Sequence, residues 1–409
     1  MIRRSHLRPT LIPFPSMTVN PAAPLSEPIP STPATRPLRI AILTSGTGVN
    51  GVGVHCALLV RFLLSRGHQV LLLHRPGAWI ADQPGLENAE RFVTSFKRSP
   101  RELVRVTRRL NQFAPDVLHT HMSSAHTYGM LARILSRRPV VATAHSTSLQ
   151  LHWWFNNRVI ATSPDAQRHH IQVNRVRRAA MRMIPSFIDT TRFPVITAAE
   201  RAAARETLGL SQDDFLIGCV GDICERKRQI DMVRALALVL PREPSARLLL
   251  VGGHFQEYYA ELQQVAAELG VSDRIIAPGS RNDVAAMLST MDVFALVSRK
   301  ESSPLAVLEA MSRGLPVIAT NVGMLADFIA EDTTGHIVQV GDVEAIARHL
   351  LAFAADPARR RRFGEAAQAA ARAQYDVAVL GPATEAVLGE AAAIRNRPWL
   401  GFVAGLCGS

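Results

Sequence analysis

The sequence predicts an α/β chain folded as two doubly wound parallel-sheet lobes of Rossmann type facing a central cleft. Three observations predict it. The chain has 409 residues, more than one ordinary domain holds and suited to two. Short β-branched and leucine-rich runs alternate with helical patterns, as buried parallel strands do with their crossover helices. The alternation occurs twice, broken near residues 190–211, where turn residues and an Ala/Arg-rich helical pattern replace strand patterning.

The elements follow in order. Residues 1–37 carry nine prolines and little apolar periodicity, so they read as a disordered Pro-rich leader, with Met17 a candidate start for a shorter chain. The first strand is 38–44, followed by a glycine-rich turn from Ser45 to Gly53 and a helix through Cys56 that Gly67 stops. Strands at 69–74, 116–120, 139–143 and 159–162 complete an N-terminal lobe over 38–195. Strands at 215–221, 247–253, 274–278, 293–297 and 316–320, with helices at 229–240 and 258–269, build a C-terminal lobe over 196–375. Residues 376–409 read as a helical segment that packs back on the N-terminal lobe. Ligands of such folds bind outside the carboxyl ends of the strands, which places the site between the lobes.

Composition narrows the class. Apolar residues at 47% and charged residues at 20% exclude wholesale disorder. No run of about 18 uncharged apolar residues offers a spanning helix. The four cysteines lie far apart or in apolar strands, which excludes a disulfide framework and suits a reducing cytoplasm. The basic start leads into prolines rather than an apolar segment, so no secretory signal is read. A net charge of +12, with all but three of the 46 basic residues arginine, favours anionic partners. Nucleic acid is disfavoured, because only 6% of residues are aromatic and no reading motif appears.

The segment from Ser298 to Val317 carries the most specific pattern. The strand 293–297 places Glu301 in the loop at its carboxyl end. Ser303 is a good N-cap with Pro304 at the first helical position, and Gly314 stops the helix. The N–H groups of Leu305 and Ala306 then face the cleft, a site for an anion with a carboxylate beside it. Glu309, farther along the helix, is placed to accept hydrogen bonds from a vicinal diol. Lys227 is read at the start of the helix 227–240, where a cation is unfavourable for the dipole and calls for an anionic ligand. Gly51 and Gly53 lie in a turn that lets a ligand approach the backbone. A dinucleotide fingerprint is not supported: Cys56 stands where its last glycine belongs, and His74 ends the second strand where an acid is expected.

These residues resemble the signature of the glycosyltransferase family 4 enzymes: a glutamate, seven residues, then Glu309-Ala310-Met311, followed by a glycine, a proline and an apolar strand. The resemblance covers roughly residues 38–375. It implies the GT-B fold and sugar transfer with retention from a nucleotide-sugar donor, with no metal and no other cofactor. It assigns Glu301 to the donor sugar, Glu309 to the nucleotide ribose and Lys227 to the diphosphate. The family's arginine before that lysine is Asp222 here, so Arg226 or Arg228 is expected to supply the second diphosphate contact. Ser186-Phe187 replaces the usual Asn-Gly between the lobes, Met324 replaces a glycine and Asp327 a glutamate. Gly51 and Gly53 fall in the loop that closes on donor phosphate or acceptor.

Seven histidines fall between 119 and 170. His119 and His121 share one face of a strand, yet no acid, cysteine or further histidine completes a metal set in the nearby sequence, so no metal site is read. His145 ends the strand 140–144 at the cleft, and the resemblance places it near the donor sugar and phosphate. Arg98, Arg101, Arg105 and Arg108 recur at helical spacing, and Arg175, Arg178 and Arg182 form a second stripe. Such faces suit solvent or an anionic membrane surface. The expected partners are a nucleotide sugar, a glycan or lipid-linked acceptor and such a surface, with the chain cytoplasmic and peripheral on the inner face of the membrane. Two other classes stay open: a GT-B sugar-nucleotide epimerase or hydrolase, and a non-catalytic nucleotide- or nucleic-acid-binding protein.

Overall fold

The structure, a computed structural model, describes residues 36–194 and 196–394. Nearly all of the proposed leader and the end of the C-terminal segment lie outside them. The first sheet contains β1 (Arg39–Thr44), β2 (Gln69–His74), β3 (Glu90–Val93), β4 (Val117–His121), β5 (Val140–Ala144), β6 (Arg158–Ala161) and β7 (Met181–Met183). Its helices are α1 (Gly51–Ser65), α2 (Pro100–Phe113), α3 (Ser123–Ser136) and α4 (Pro164–Gln172). After α5 (Ala198–Glu206) the second lobe runs β8 (Phe215–Val220), α6 (Gln229–Val239), β9 (Ala246–Val251), α7 (Gln256–Glu268), β10 (Ile275–Gly279) and α8 (Val284–Thr290). It continues with β11 (Val293–Leu296), α9 (Leu305–Ser312), β12 (Val317–Thr320), α10 (Leu325–Phe328), β13 (Gly335–Val338), α11 (Val343–Ala355) and α12 (Pro357–Gln374). The last described helix is α13 (Val377–Ala393).

Every strand pairing in both sheets is parallel. The orders are β3-β2-β1-β4-β5-β6-β7 and β10-β9-β8-β11-β12-β13. Each order reverses once, between β1 and β4 and between β8 and β11, and the crevices at these points receive the loops that line the cleft. This is the two-lobed GT-B architecture. Three strands have no counterpart in the sequence reading: β3, β7 and β13. All three are edge strands, only three or four residues long, and β3 is largely exposed, so none forms the continuous apolar run of a central strand.

The central strands are fully buried, from Ile40 to Leu43 in one lobe and Val293 to Leu296 in the other. A buried arginine anchors α5 to the second lobe. Arg205 donates to Asp292 Oδ2 at 2.7 Å and to the carbonyls of Thr290, Ser211, Gln212 and Asp214, so its charge and donors are met inside the protein. Cys56, Cys219 and Cys224 are free thiols.

The chain crosses between lobes twice, and the crossings lie side by side. Ile188 N donates to Tyr375 O at 3.0 Å and Val377 N to Ile188 O at 2.7 Å. Asp376 Oδ2 accepts from Thr190 N and Oγ1, while its Oδ1 caps α13 through Ala378 N. Helix α13 lies against α1, β4 and β5 of the first lobe. Its Glu385 accepts from His68 Nε2 at 3.0 Å and Arg66 Nε at 3.2 Å, and Glu390 pairs with Arg158 and Arg182.

Candidate active site

Strand β11 ends in the loop 297–304, and this loop organises the cleft. Thr320 Oγ1 donates to Ser298 O at 2.7 Å, and Met324 N to Ser302 O at 2.8 Å, so the turn after β12 holds the loop from below. Gly323 allows that approach: it sits at φ 59°, and a Cβ there would lie 2.5 Å from Glu301 O and 2.6 Å from Ser302 O.

Glu301 is the centre of charge. Its Oε1 receives Lys227 Nζ at 2.7 Å, Arg226 NH1 at 2.8 Å and Ser298 Oγ at 2.8 Å. Its Oε2 has no hydrogen-bond partner among the described residues. Burial alone would raise this carboxyl's pKa, but the charges of Lys227 and then Arg226 outweigh it and hold the group below its usual range. Glu301 is therefore a fixed carboxylate with one oxygen committed and one available.

Lys227 does not begin a helix, as the sequence reading had it. It lies in the turn before α6, with its N–H on Cys224 O, and Arg228 at φ 56° is the cap residue. Nor is its ammonium left waiting for an anion, because Glu301 already supplies one. Arg226 joins the cluster and also donates to Lys300 O at 2.9 Å. Arg228 does not, because its guanidinium is taken up by buried Asp231 at 2.6 Å.

Helix α9 starts one residue later than its spacing suggested. Pro304 is the cap residue, and Ser303 Oγ instead accepts from Ser186 N at 2.8 Å, in the segment leaving the first lobe. Ser302 Oγ bonds Thr162 Oγ1 at 2.9 Å and Ser163 Oγ at 3.1 Å, and Lys300 Nζ donates to Thr147 Oγ1 at 2.8 Å. The loop thus stitches the lobes together at the cleft. Leu305 and Ala306 open the first turn of α9, where N–H groups have no intrahelical acceptor. Glu309 follows on the same helix, half-buried, its carboxyl without a hydrogen bond or ion pair among the described residues. Burial pushes its carboxyl up to about 7, against a weaker opposing charge from Arg192.

The glycine turn of the first lobe faces this helix: a Cβ on Gly51 would lie 3.9 Å from Leu305 Cδ1. Gly53 differs from expectation. Its N–H donates to Asn50 Oδ1 at 2.9 Å, the cap of α1, and is not available to a ligand.

His145, just past β5, is half-buried, and its Nε2 lies 3.1 Å from His121 Nδ1. The sequence reading saw nothing to complete a histidine set. The structure does complete one, with different members: His121, His145 and His55 from α1. His119 instead directs Nε2 to Thr143 Oγ1 at 2.7 Å. Burial depresses the pKa of all four imidazoles, to about 4 for His55 and about 3 for His119. Sequence reasoning also gave no role to Ser298, Ser302 or Gly323. Only the cluster of small residues around Glu301 hinted at them, since their partners come from distant segments.

Residues 49–192 match the profile of Glycosyltransferase Family 4, and residues 200–370 match Glycosyl transferases group 1. The chain belongs to the family 4 glycosyltransferases. It is 29% identical over 311 residues to a D-inositol 3-phosphate glycosyltransferase of Streptomyces avermitilis, covering 72% of this chain but only 62% of that one. It is 28% identical to the lipopolysaccharide core biosynthesis mannosyltransferase LpcC of Rhizobium leguminosarum bv. viciae, over 67% of this chain and 79% of that one. The fold superposes on Anabaena HepE, solved in complex with UDP and glucose, with a TM-score of 0.78 at 20% identity, covering 86% of this chain and all of that one.

Proposed function

We propose that the chain is a retaining glycosyltransferase. It moves a sugar from a nucleoside-diphosphate sugar to a glycan or lipid-linked acceptor in cell-surface polysaccharide or glycolipid assembly. One observation carries the reading: Lys227 and Arg226 converge on one oxygen of Glu301, in the loop that leads into α9, the helix that carries the unpaired carboxylate of Glu309. The names of the relatives support sugar transfer in glycoconjugate synthesis.

Each group has a task in this mechanism. Glu309 accepts the ribose hydroxyls, and two donated hydrogen bonds favour its ionised form. Lys227, Arg226 and the N–H groups of Leu305 and Ala306 meet the diphosphate, whose negative charge grows as the sugar departs; fixed positive groups there stabilise the transition state. This charge replaces any need for a metal. Glu301 Oε2 accepts from a sugar hydroxyl and orients the ring. His145, neutral because it is desolvated, hydrogen-bonds the sugar or phosphate without adding a charge. The acceptor enters from the first lobe, past Gly51.

A thermal-shift screen of nucleotide sugars, followed by a transfer assay with the stabilising donor, tests the reading. Release of free nucleotide without a glycosylated product would favour the hydrolase or epimerase class. Stabilisation without turnover would favour a binding protein.

The acceptor side also supports peripheral docking on anionic lipid, with the chain on the inner face of the membrane. Among the described residues no helix is long and apolar enough to cross a membrane. Leu149, Leu151 and Trp154, between β5 and β6, are 74%, 70% and 54% exposed. Leu151 and Arg98 line one cavity of about 350 Å³ with Tyr128 and Gln150. Arg101 and Arg108 are exposed on α2. Arg105 is not free to join them, because it is paired with Glu102 and lies over the Phe92 ring. The Arg175–Arg182 stripe is no helix face either: α4 ends before it, and Arg182 is buried in β7 against Glu390. Three arginines near a lipid surface contribute about 1 kcal/mol each. Co-sedimentation with anionic vesicles at low salt should therefore exceed that with neutral vesicles, and equal recovery from both would count against docking.

A further inference from the structure

We propose that His55, His121 and His145 form a binding site for one divalent cation of the zinc class at the mouth of the first sheet. Three elements build it. His55 projects from the second turn of α1, His121 ends β4, and His145 follows β5, the strand paired with β4. One ring nitrogen from each lies within 4.8 Å of the other two. The ring centroids form a near-regular triangle, 5.9, 5.3 and 5.4 Å apart. A tetrahedral zinc with Zn–N of about 2.0–2.1 Å wants its nitrogens roughly 3.3 Å apart. The His121–His145 pair already stands at 3.1 Å, so closure requires only that His55 turn toward it.

The second observation is a shortage of partners. His55 is 4% exposed, yet its Nδ1 has no hydrogen-bond partner among the described residues. Buried polar atoms are ordinarily satisfied, and unsatisfied ones of this kind cost about 1–3 kcal/mol. The neighbouring imidazoles do not relieve it: His119 Nε2 is committed to Thr143 Oγ1 and His126 Nδ1 to Thr120 Oγ1. The three imidazoles are neutral near pH 7, which is the ligating form, so a cation is taken up with no net proton release. Each ring keeps its one N–H on the nitrogen that does not ligate. An all-imidazole set selects Zn²⁺, Co²⁺, Ni²⁺ or Cu²⁺ over Mg²⁺ or Ca²⁺, which want oxygen ligands. Three protein ligands leave a fourth position open to water. Because His145 belongs to the donor pocket in the transferase reading, an occupied site removes it from the sugar and inhibits transfer. That consequence rests on the proposed function; the binding itself does not.

The test uses the full untagged chain, stripped with chelator and titrated with Zn²⁺ in competition with a chelating dye, and separately with Co²⁺ monitored by visible absorption. One equivalent of Zn²⁺ should bind, Co²⁺ should give the intense bands of a tetrahedral site, and excess Mg²⁺ should displace neither. His55→Gln and His145→Gln, on separate elements, should each weaken Zn²⁺ by at least about tenfold, since loss even of an outer-shell partner costs that much. Circular dichroism checks that each variant is folded, and either one suffices. His336→Gln, in the second lobe's Glu331–Asp332–His336 group, whose carboxylates are exposed and whose imidazole is buried, should leave Zn²⁺ affinity unchanged. Binding that survives both triad substitutions, or that depends on His336, overturns the site. Zn²⁺ that binds at the triad without slowing transfer leaves the site standing and removes His145 from the donor pocket.

Discussion

Glu309 is a carboxyl in a half-dry cleft with nothing to bond, and its pKa near 7 is the cost of that position. Relative to its ordinary value of 4.5, the folded state holds this proton more tightly than the unfolded chain does. Stability therefore falls as pH rises from about 4.5 to about 7. Discounted for partial exposure, the effect is on the order of 1–3 kcal/mol. Glu309→Gln should raise the melting temperature of the ligand-free protein at pH 8 and leave it unchanged at pH 4.5. The same change should weaken donor binding roughly ten- to hundred-fold, because charge-assisted hydrogen bonds of about 1.5–3 kcal/mol are lost. A variant less stable at pH 8, or one with wild-type donor affinity in calorimetry, would contradict this account. Lys227 makes a different demand. Among the described residues its one ionic partner is Glu301, and its assigned ligand is the diphosphate. Lys227→Ala should weaken a nucleoside diphosphate much more than the nucleoside, and equal weakening of the two would point to general damage instead.

The decisive element is the loop 297–304 rather than either helix beside it. It carries Ser298 and Glu301, reaches Thr147, Thr162 and Ser186 across the cleft, and rests on the turn at Gly323. Gly323→Ala adds a Cβ at a positive φ and within 2.6 Å of two carbonyl oxygens, so the loop must shift. We expect about 1–3 kcal/mol of destabilisation by thermal unfolding, together with weaker donor binding. Gly48→Ala, with nothing within 4 Å of its Cβ, should stay within about 0.5 kcal/mol of wild type. If both variants melt alike, the loop is not braced as described. The strand–loop–helix order around Glu301 could be read from the sequence because it is local: an apolar run, a small-residue loop, a proline, then a helical period. The same holds for the central strands, which are continuous apolar runs. What could not be read depends on tertiary pairing. Ser303 looks like a cap until Ser186 arrives to claim its oxygen. Arg105 looks like a free surface charge until Glu102 and the β3 carbonyl of Val93 take up its guanidinium. His55 lies 66 residues before His121 in the chain, and only the crossover of α1 onto the sheet brings them together.

At the scale of the whole molecule the two lobes are alike in topology and unlike in chemistry. The first holds a packed set of buried and half-buried histidines: His55, His119, His121, His126, His145, His152 and His170 all have pKa values depressed chiefly by burial. The second carries only His254, His336 and His349. A histidine held at about 4, as His55, His152 and His170 are, binds fewer protons folded than unfolded between pH 6.5 and pH 4. Its contribution is complete above about 6.5 and is lost as pH falls below that, by roughly 1.4 kcal/mol per unit of depression. The first lobe should therefore fail in acid before the second. The described tryptophans, Trp79, Trp153 and Trp154, all lie in the first lobe, and the Trp153 ring packs 4.1 Å from His170. With Trp399, which lies outside the described residues, replaced by phenylalanine, tryptophan fluorescence reports on that lobe, whereas far-ultraviolet dichroism sums over both. Helix α13 follows α12 of the second lobe and is held on the first: His68 Nδ1 accepts from Leu38 N at 2.9 Å, which leaves its Nε2–H to donate to Glu385. On titration from pH 7 to pH 4 the fluorescence change should precede most of the loss of helical signal. Replacing Glu385 with alanine strands a buried N–H donor, at about 1–3 kcal/mol, and should widen the gap between the two transitions. Coincident transitions with Glu385 intact, or fluorescence that holds steady to pH 4, would show that the histidine set is not what limits the fold in acid.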